Sequence, residues 1–156
     1  MQACRTRVSH YLYRIAHSGT LTGVRNSGNI EGDGLAAELV YYQEDPETVP
    51  MVEWLEELPA KALQKCLARL ERLEQLGHEL RRPEADYLRD DIYELRASFQ
   101  GVHYRILYFF HKQAAVVVSH GLTKERVVPP REIDLAIKRK QKFEADSKQH
   151  TFRPKG

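Results

Sequence analysis

Hydrophobic and polar positions alternate most regularly between Leu88 and Leu122, where they predict three consecutive β-strands. Apolar and charged side chains alternate from Ile92 to Ala97, and the segment from Val102 to Phe110 is dense in β-branched and aromatic residues. An apolar run follows from Ala114 to Ser119. Period-two alternation with this composition is typical of strands. Short polar turns between the segments favour an antiparallel meander whose middle strand is covered on both sides.

A leucine periodicity before this meander predicts an amphipathic helix. Leucines recur at three- and four-residue steps from Leu63 to Leu76, so they share one face of a helix that we expect to pack against the sheet. Pro59 suits the first turn of this helix, and Gly77 suits its C-terminal end. A shorter helix is expected to begin near Pro50.

The remaining patterns complete an α+β fold class. Residues 37–43 are expected to form the first strand, and Pro129-Pro130 introduces a terminal helix over residues 131–144. The order is then strand, two helices, three strands and helix. We therefore expect a twisted, antiparallel-rich sheet of about four strands, with a two-helix hairpin packed on it and a C-terminal helix.

Composition divides the chain into three parts. Residues 1–35 carry several arginines but no acidic residue before Glu31, and small and polar residues crowd their second half. We expect them to form a poorly ordered or accessory extension, in which residues 8–15 are compatible with a short helix. The domain itself is expected to cover residues 36–147, followed by a C-terminal tail at residues 148–156.

Bulk properties favour a cytoplasmic protein that needs neither a metal ion nor another cofactor. No apolar run is long enough to cross a membrane, so no membrane partner is expected. The two cysteines give neither a disulfide framework nor the spacing of a zinc site, and the seven histidines are scattered.

The distribution of charge is more informative than the net charge of +2. Residues 31–60 contain nine acidic and no basic side chains, whereas residues 101–156 contain twelve basic and five acidic ones. This asymmetry is compatible with a polyanionic partner for the C-terminal half or with a solvated basic helix.

Four short motifs occur in a defined order, and together they carry a family resemblance. They are YELR (Tyr93–Arg96), YRILYFF (Tyr104–Phe110), SHGLTK (Ser119–Lys124) and PPREIDLA (Pro129–Ala136). In this order and spacing they resemble the RelE/HigB superfamily of type II bacterial toxins, in particular its phage-derived HigB-like branch. The resemblance implies a small RelE-like fold with the paired helices on one face of the sheet.

The same resemblance implies a function. Such toxins cut messenger RNA on the ribosome without a metal ion, by attack of the ribose 2′-oxygen on the adjacent phosphate. The expected partners are the ribosome, mRNA and a cognate antitoxin of the helix-turn-helix type. Two alternatives stay open: a non-enzymatic, ParE-like inhibitor of DNA gyrase, and a degenerate toxin that acts as a binding module.

Candidate catalytic residues follow from the motifs. Arg105 matches a sheet arginine that the family uses at the scissile phosphate, and a guanidinium binds phosphate through two donors. Glu94 is a candidate general base, and Arg96, on the same face of its strand, a candidate phosphate ligand. A cross-strand ion pair between Glu94 and Arg105 is the structural alternative.

The end of the third strand and the loop expected from Gly121 to Val128 add two further candidates. His120 suits proton transfer as a general acid or serves as a hydrogen-bonded structural residue, and Lys124 occupies a basic position of the family motif. Tyr108 and His103 are secondary candidates, with core packing favoured for Tyr108. Four cations around the last helix are expected to contact ribosomal RNA through its phosphates, namely Arg131, Lys138, Arg139 and Lys142.

Overall fold

The computed structural model of the chain describes residues 8–15, 38–112, 115–123 and 126–154. Residues 8–15 form helix α1. The other elements, in chain order, are β1 (Glu38–Tyr42), α2 (Pro50–Glu56), α3 (Ala60–Leu76), a 3-10 turn (Gly77–Glu79), β2 (Ala85–Arg89), β3 (Ile92–Phe99), β4 (Val102–His111), β5 (Ala115–Thr123), α4 (Pro130–Ala145), α5 (Ser147–His150) and β6 (Thr151–Phe152). The mixed α+β class is confirmed.

The strands form one sheet in the order β2-β3-β4-β5-β1-β6. β1 runs parallel to β5, and the other neighbours are antiparallel. The expectation of about four strands is wrong, because the described residues add β2 and β6 at the two edges. In β2 only Ala85 is buried, and β6 has two residues, so neither shows the apolar alternation by which strands are recognised.

β5 is longer than its apolar run indicates. It was expected to end at Ser119, with a loop from Gly121, but pairing with β4 continues to Thr123. Leu107 of β4 pairs with His120, and the next β4 residue pairs with Val118, so Ser119 is the extra residue of a β-bulge. His120 therefore lies within a strand rather than at its end.

Helices cover both faces of the sheet. On one face, α1, α2 and α3 pack over a core that contains Leu95, Ile106 and Val118. On the other face, α4 packs over Leu107 and Phe109. β4 is buried on both sides from residue 104 to residue 109, as expected for the middle strand.

The helix arrangement differs from the expected hairpin. α2 lies mainly against β5, whereas α3 lies mainly against β3, so each helix packs on its own strand. The close approach of α2 depends on Gly121 of β5, since a Cβ atom there would overlap the indole ring of Trp54.

The C-terminal residues close the far edge of the sheet. The ring of His150 stacks on Tyr42 with centroids 5.2 Å apart, and the backbone oxygen of the same histidine accepts from the Gln43 N–H at 3.0 Å. β6 then pairs with β1. Part of the segment expected to be a tail is thus built onto the sheet. Of the expected N-terminal extension, only residues 8–15 are described; they are helical, with Val8 and Leu12 buried, and the rest lies outside the described residues.

No helix among the described residues is long and apolar enough to span a membrane.

Candidate active site

Strand register brings four of the five candidate catalytic residues to one face of the sheet. Arg96 of β3 and Arg105 of β4 are directly opposite each other, and Glu94 lies two residues from Arg96 on the same face. His120 follows on β5, opposite Leu107. This is the face that α4 covers. The fifth candidate, Lys124, lies outside the described residues.

Glu94 is the centre of a buried ion-pair network. One carboxylate oxygen, Oε1, lies 2.7 Å from Nε and 2.6 Å from a terminal nitrogen of Arg96. The other, Oε2, lies 3.2 Å from Nε of Arg105. The Glu94 side chain is only 6% exposed, so these two guanidiniums replace the water that the carboxylate has lost. The structure therefore contains the cross-strand pair that the sequence left as an alternative.

Arg105 is held from several directions. One terminal nitrogen donates to the backbone oxygen of Tyr104 and the other to that of Arg126, each at 3.4 Å. Its Nε makes the ion-pair contact with Glu94 but no hydrogen bond of good geometry. With 10% of its side chain exposed, Arg105 lies below the surface, and the Arg126 carbonyl covers part of it.

Arg96 connects this buried pair to the surface. Its side chain is 34% exposed, and it also lies 3.2 Å from Asp86 on β2. Arg82 approaches the same Asp86 oxygen at 2.7 Å. Three guanidiniums and two carboxylates thus form a continuous network with a net charge of +1. Sequence reasoning missed Asp86 and Arg82, because β2 itself was not recognised.

His120 is bonded at both ring nitrogens. Nδ1 lies 2.7 Å from the hydroxyl of Ser119, and Nε2 lies 2.9 Å from a carboxylate oxygen of Glu132 on α4. Because the carboxylate accepts, Nε2 carries the proton, and the Ser119 hydroxyl donates to Nδ1. Burial, together with the positive charge of Arg139, lowers the pKa of His120 to about 4, against the raising effect of Glu132. The imidazole is therefore neutral near pH 7.

Ser119, His120 and Glu132 stand in the hydroxyl–imidazole–carboxylate order of a nucleophile triad. The Ser119 side chain is fully buried, however, and no substrate reaches its oxygen. The arrangement instead links the first turn of α4 to β5 through hydrogen bonds. No sequence signal identified Glu132, since its distance from His120 depends on how α4 crosses the sheet.

The basic side chains of α4 differ in their exposure to solvent and in their ion pairs. Arg131 is 78% exposed, with Glu132 at 3.7 Å, and Lys138 is also exposed. Lys142 is half exposed, and its ammonium lies 2.6 Å from a carboxylate oxygen of Glu44. The basic surface expected here is thus present at Arg131 and Lys138 and partly neutralised at Lys142.

Arg139 turns inward instead. Its guanidinium carbon lies 5.5 Å from the centroid of the Tyr42 ring, and two of its nitrogens are buried without a hydrogen bond. Burial lowers the pKa of this guanidinium.

The secondary candidates lie apart from the network. Tyr108 is buried in the core on the other face of the sheet, where burial raises the pKa of its phenol. His103 is half-buried at the start of β4, opposite Ser98. Within the described ranges, no group of His, Cys, Asp and Glu side chains is placed to hold a metal ion.

Comparison with known proteins assigns the chain to a family. No curated protein matches it. Residues 53–141 match the family described as phage derived protein Gp49-like (DUF891), and this range includes Glu94, Arg96, Arg105, His120 and Glu132. The match extends from α2 into α4, so it covers more than half of the chain. The chain therefore belongs to the phage-derived Gp49-like family, which is part of the RelE/HigB-like toxin superfamily.

Proposed function

We propose that this protein is the toxin of a type II toxin–antitoxin system and that it cuts messenger RNA on the ribosome, as in the HigB-like branch. Its family is associated with toxin-like RNase activity. The observation that carries the proposal is the Glu94 carboxylate held between the guanidiniums of Arg96 and Arg105. A base and two phosphate-binding groups are the parts that metal-independent RNA cleavage needs.

In the proposed reaction Glu94 accepts the proton of the ribose 2′-OH. The 2′-oxygen forms a bond to phosphorus, the bond from phosphorus to the 5′-oxygen breaks, and a 2′,3′-cyclic phosphate results. Arg96 and Arg105 offset the negative charge that develops on the phosphate oxygens. The departing 5′-oxygen takes a proton from water, because His120 is neutral and both of its nitrogens are engaged. His120 is thus a positioning residue for α4.

The two arginines differ in exposure, and this difference sets the order in which they contact the phosphate. Arg96 has 34% of its side chain exposed, whereas Arg105 has 10%, so an incoming phosphate meets Arg96 first. Binding then requires Arg105 to exchange its long contacts with backbone oxygens for the phosphate. An anionic oxygen is the stronger acceptor, so this exchange favours the bound state.

The proposed partners follow from the same reaction. Arg131, Lys138 and Lys142 are the cations that we assign to ribosomal RNA and to the message, whereas Arg139 packs inward on Tyr42. Lys124 belongs to the proposed catalytic set, as its position in the family motif implies. A cognate antitoxin of the helix-turn-helix type holds the toxin inactive until it is removed, and the toxin acts in the cytoplasm, where ribosomes translate.

The test is to induce the full-length chain in growing bacteria and to map the 5′ ends of cellular transcripts. New ends within translated regions, absent when translation initiation is blocked, are the expected result. Growth arrest without such ends would sink the proposal. An induced Arg105→Ala variant, matched to Arg153→Ala at an exposed arginine paired with Glu38, separates the site from a general loss of charge.

A binding module without catalytic activity is the second candidate. The burial of Glu94 and Arg105 favours it, because an ion pair that is already satisfied is also what a purely structural network looks like. It predicts antitoxin binding without transcript cleavage. Toxicity of the Arg105→Ala variant with signs of DNA damage would instead indicate a ParE-like inhibitor of gyrase.

A further inference from the structure

A cavity of about 550 Å³ lies on the face of the sheet opposite Glu94 and Arg105. Aromatic rings from the 3-10 turn and from strands β2, β3 and β4 surround it. These rings belong to His78, Tyr87, Tyr93, Tyr108 and Phe110. The volume falls within the range of about 300–1,000 Å³ that is usual for small-ligand sites.

Two of these rings are exposed to solvent rather than buried in the core. Tyr87 is 51% exposed and meets Tyr93 edge-on, with centroids 5.2 Å apart. His78 is also exposed and lies flat over Phe110, with centroids 3.5 Å apart and planes 19° from parallel. Both rings line the cavity and are exposed, and exposed aromatic rings stack well with nucleobases.

Cations line the rim of the same cavity. Arg81 and Arg82 are both exposed and both contribute to its wall. Arg82 is engaged with Asp86, whereas Arg81 makes no ion pair within the part of the chain that the structure describes. Burial raises the pKa of Tyr93, and the charge of Arg81 opposes this rise, which indicates that the guanidinium lies near the phenol. A guanidinium beside exposed rings suits the phosphate of a nucleotide whose base is stacked.

The cavity is connected to the candidate active site through the edge strand β2. Asp86 accepts from Arg82 on the cavity side and lies 3.2 Å from Arg96 on the other side. A strand of RNA that crosses β2 therefore meets Arg96 and then the aromatic cavity. β2 is a sheet edge, so no further strand obstructs this crossing among the described residues.

We propose that this cavity binds one nucleotide of single-stranded RNA, with the base stacked on the exposed ring of Tyr87 and the phosphate on Arg81. The inference rests on the proposed function in one respect, that RNA is the substrate. It adds a binding subsite on the opposite face of the sheet from the reacting groups, which holds a nucleotide on one side of the cleaved bond. A peptide is the competing ligand, but two guanidiniums and several ring faces match a nucleotide better than an apolar side chain.

The experiment measures binding separately from cleavage. A labelled, single-stranded 2′-O-methyl oligoribonucleotide lacks the attacking hydroxyl, so its affinity for the full-length chain is read by fluorescence anisotropy without turnover. Removing a stacked ring or a charge-assisted hydrogen bond to phosphate costs roughly 1–3 kcal/mol, so Tyr87→Ala and Arg81→Ala should each weaken binding by about 5- to 150-fold. Tyr87→Phe keeps the ring and should keep the affinity within about two-fold of the parent.

Tyr11→Ala and Arg14→Ala are the matched controls, because this exposed tyrosine and arginine lie together on α1, beside α3. They should leave the affinity unchanged. A free nucleoside 5′-monophosphate should compete with the oligonucleotide on the parent chain and not on the Tyr87→Ala variant. Backbone amide spectra of each variant show whether it is folded.

The possible outcomes test the nucleotide subsite and the cleavage reaction separately. Affinity that is unchanged in folded Tyr87→Ala and Arg81→Ala variants overturns the subsite, and so does selective binding of an acidic peptide in place of the oligonucleotide. If the parent chain cuts RNA and Tyr87→Ala raises KM with kcat retained, both the subsite and the reaction stand. If the parent chain cuts nothing but loses the oligonucleotide in these variants, the reaction is wrong and the subsite stands.

Discussion

Arg96 and Arg105 are directly opposite each other on neighbouring antiparallel strands, and the carboxylate of Glu94 contacts both. Two like charges in this position are destabilising on their own. Glu94 makes the arrangement favourable, because each of its oxygens lies within 3.2 Å of one guanidinium. The same three side chains are therefore both a structural unit and the proposed catalytic set.

The first prediction concerns the cost of removing this carboxylate charge. Glu94→Gln leaves two guanidiniums facing each other in a largely buried site, and it should lower the free energy of unfolding by about 1–3 kcal/mol. Urea unfolding measures this loss. Glu38→Gln is the matched control, because Glu38 pairs with Arg153 at the surface and its loss should cost less than about 1 kcal/mol. Equal midpoints for the Glu94→Gln variant and the parent would show that the arginines need no carboxylate between them.

The second prediction separates the two arginines by their kinetics. Arg96 is the exposed member, so Arg96→Ala should act mainly on KM in an RNA-cleavage assay with translating ribosomes. Arg105 is placed to contact the phosphate only once it has left its backbone contacts, so Arg105→Ala should lower kcat by about 100- to 1,000-fold, as for other groups that stabilise developing charge. Arg153→Ala should change neither constant. Equal effects of Arg96→Ala and Arg105→Ala on kcat would contradict the proposed order of contact.

A third prediction tests why α2 packs on β5. Gly121→Ala places a Cβ atom against the Trp54 ring and should destabilise the chain by about 1–3 kcal/mol. In a Trp54→Leu background the same change should cost much less, because the obstructing ring is gone. Gly101→Ala is the control: its Cβ would meet nothing within 4 Å, and its cost comes from a φ of +77°. That cost should be the same in both backgrounds. Lack of coupling between positions 54 and 121 would mean that the backbone moves to admit the side chain.

The elements with long, regular patterns could be predicted from the sequence. Leucine spacing predicted α3 and its stop at Gly77, and alternation predicted β3 and β4 with the turn at Gln100-Gly101, where both residues have positive φ. These patterns are local, and burial of one face reinforces each of them. The edge strands could not be found in this way. β2 is held mainly by hydrogen bonds to β3, and its turn at Asp90-Asp91 lacks the glycine that usually marks such a hairpin.

The candidate site was predictable only in part, for a related reason. Side chains two residues apart on a strand share a face, so the sequence already places Glu94 and Arg96 together. Their contact with Arg105 can be predicted once the register of the hairpin is known. Glu132 and Asp86 come from elements whose position depends on packing across the whole sheet. The bulge at Ser119 adds a residue that no pattern indicates, and it places His120 opposite Leu107. The proton-transfer role expected for His120 depended on an exposed, titrating ring, whereas the ring is buried between α4 and β5.

The last prediction concerns pH and follows from that burial. The pKa of His120 is lowered to about 4, since burial disfavours the imidazolium and Arg139 repels it, against the attraction of Glu132. In the unfolded chain a histidine titrates near about 6.5. Between these values the unfolded state binds a proton that the folded state does not, so stability should fall as the pH falls from about 6.5 to about 4, by up to roughly 3 kcal/mol.

Urea midpoints across this window should decline less steeply for His120→Gln than for the parent, while His10→Gln, at an exposed histidine of α1, should follow the parent. A parent-like slope in the His120→Gln variant would show that this ring is protonated in the folded protein near pH 6, and it would restore His120 as a candidate general acid.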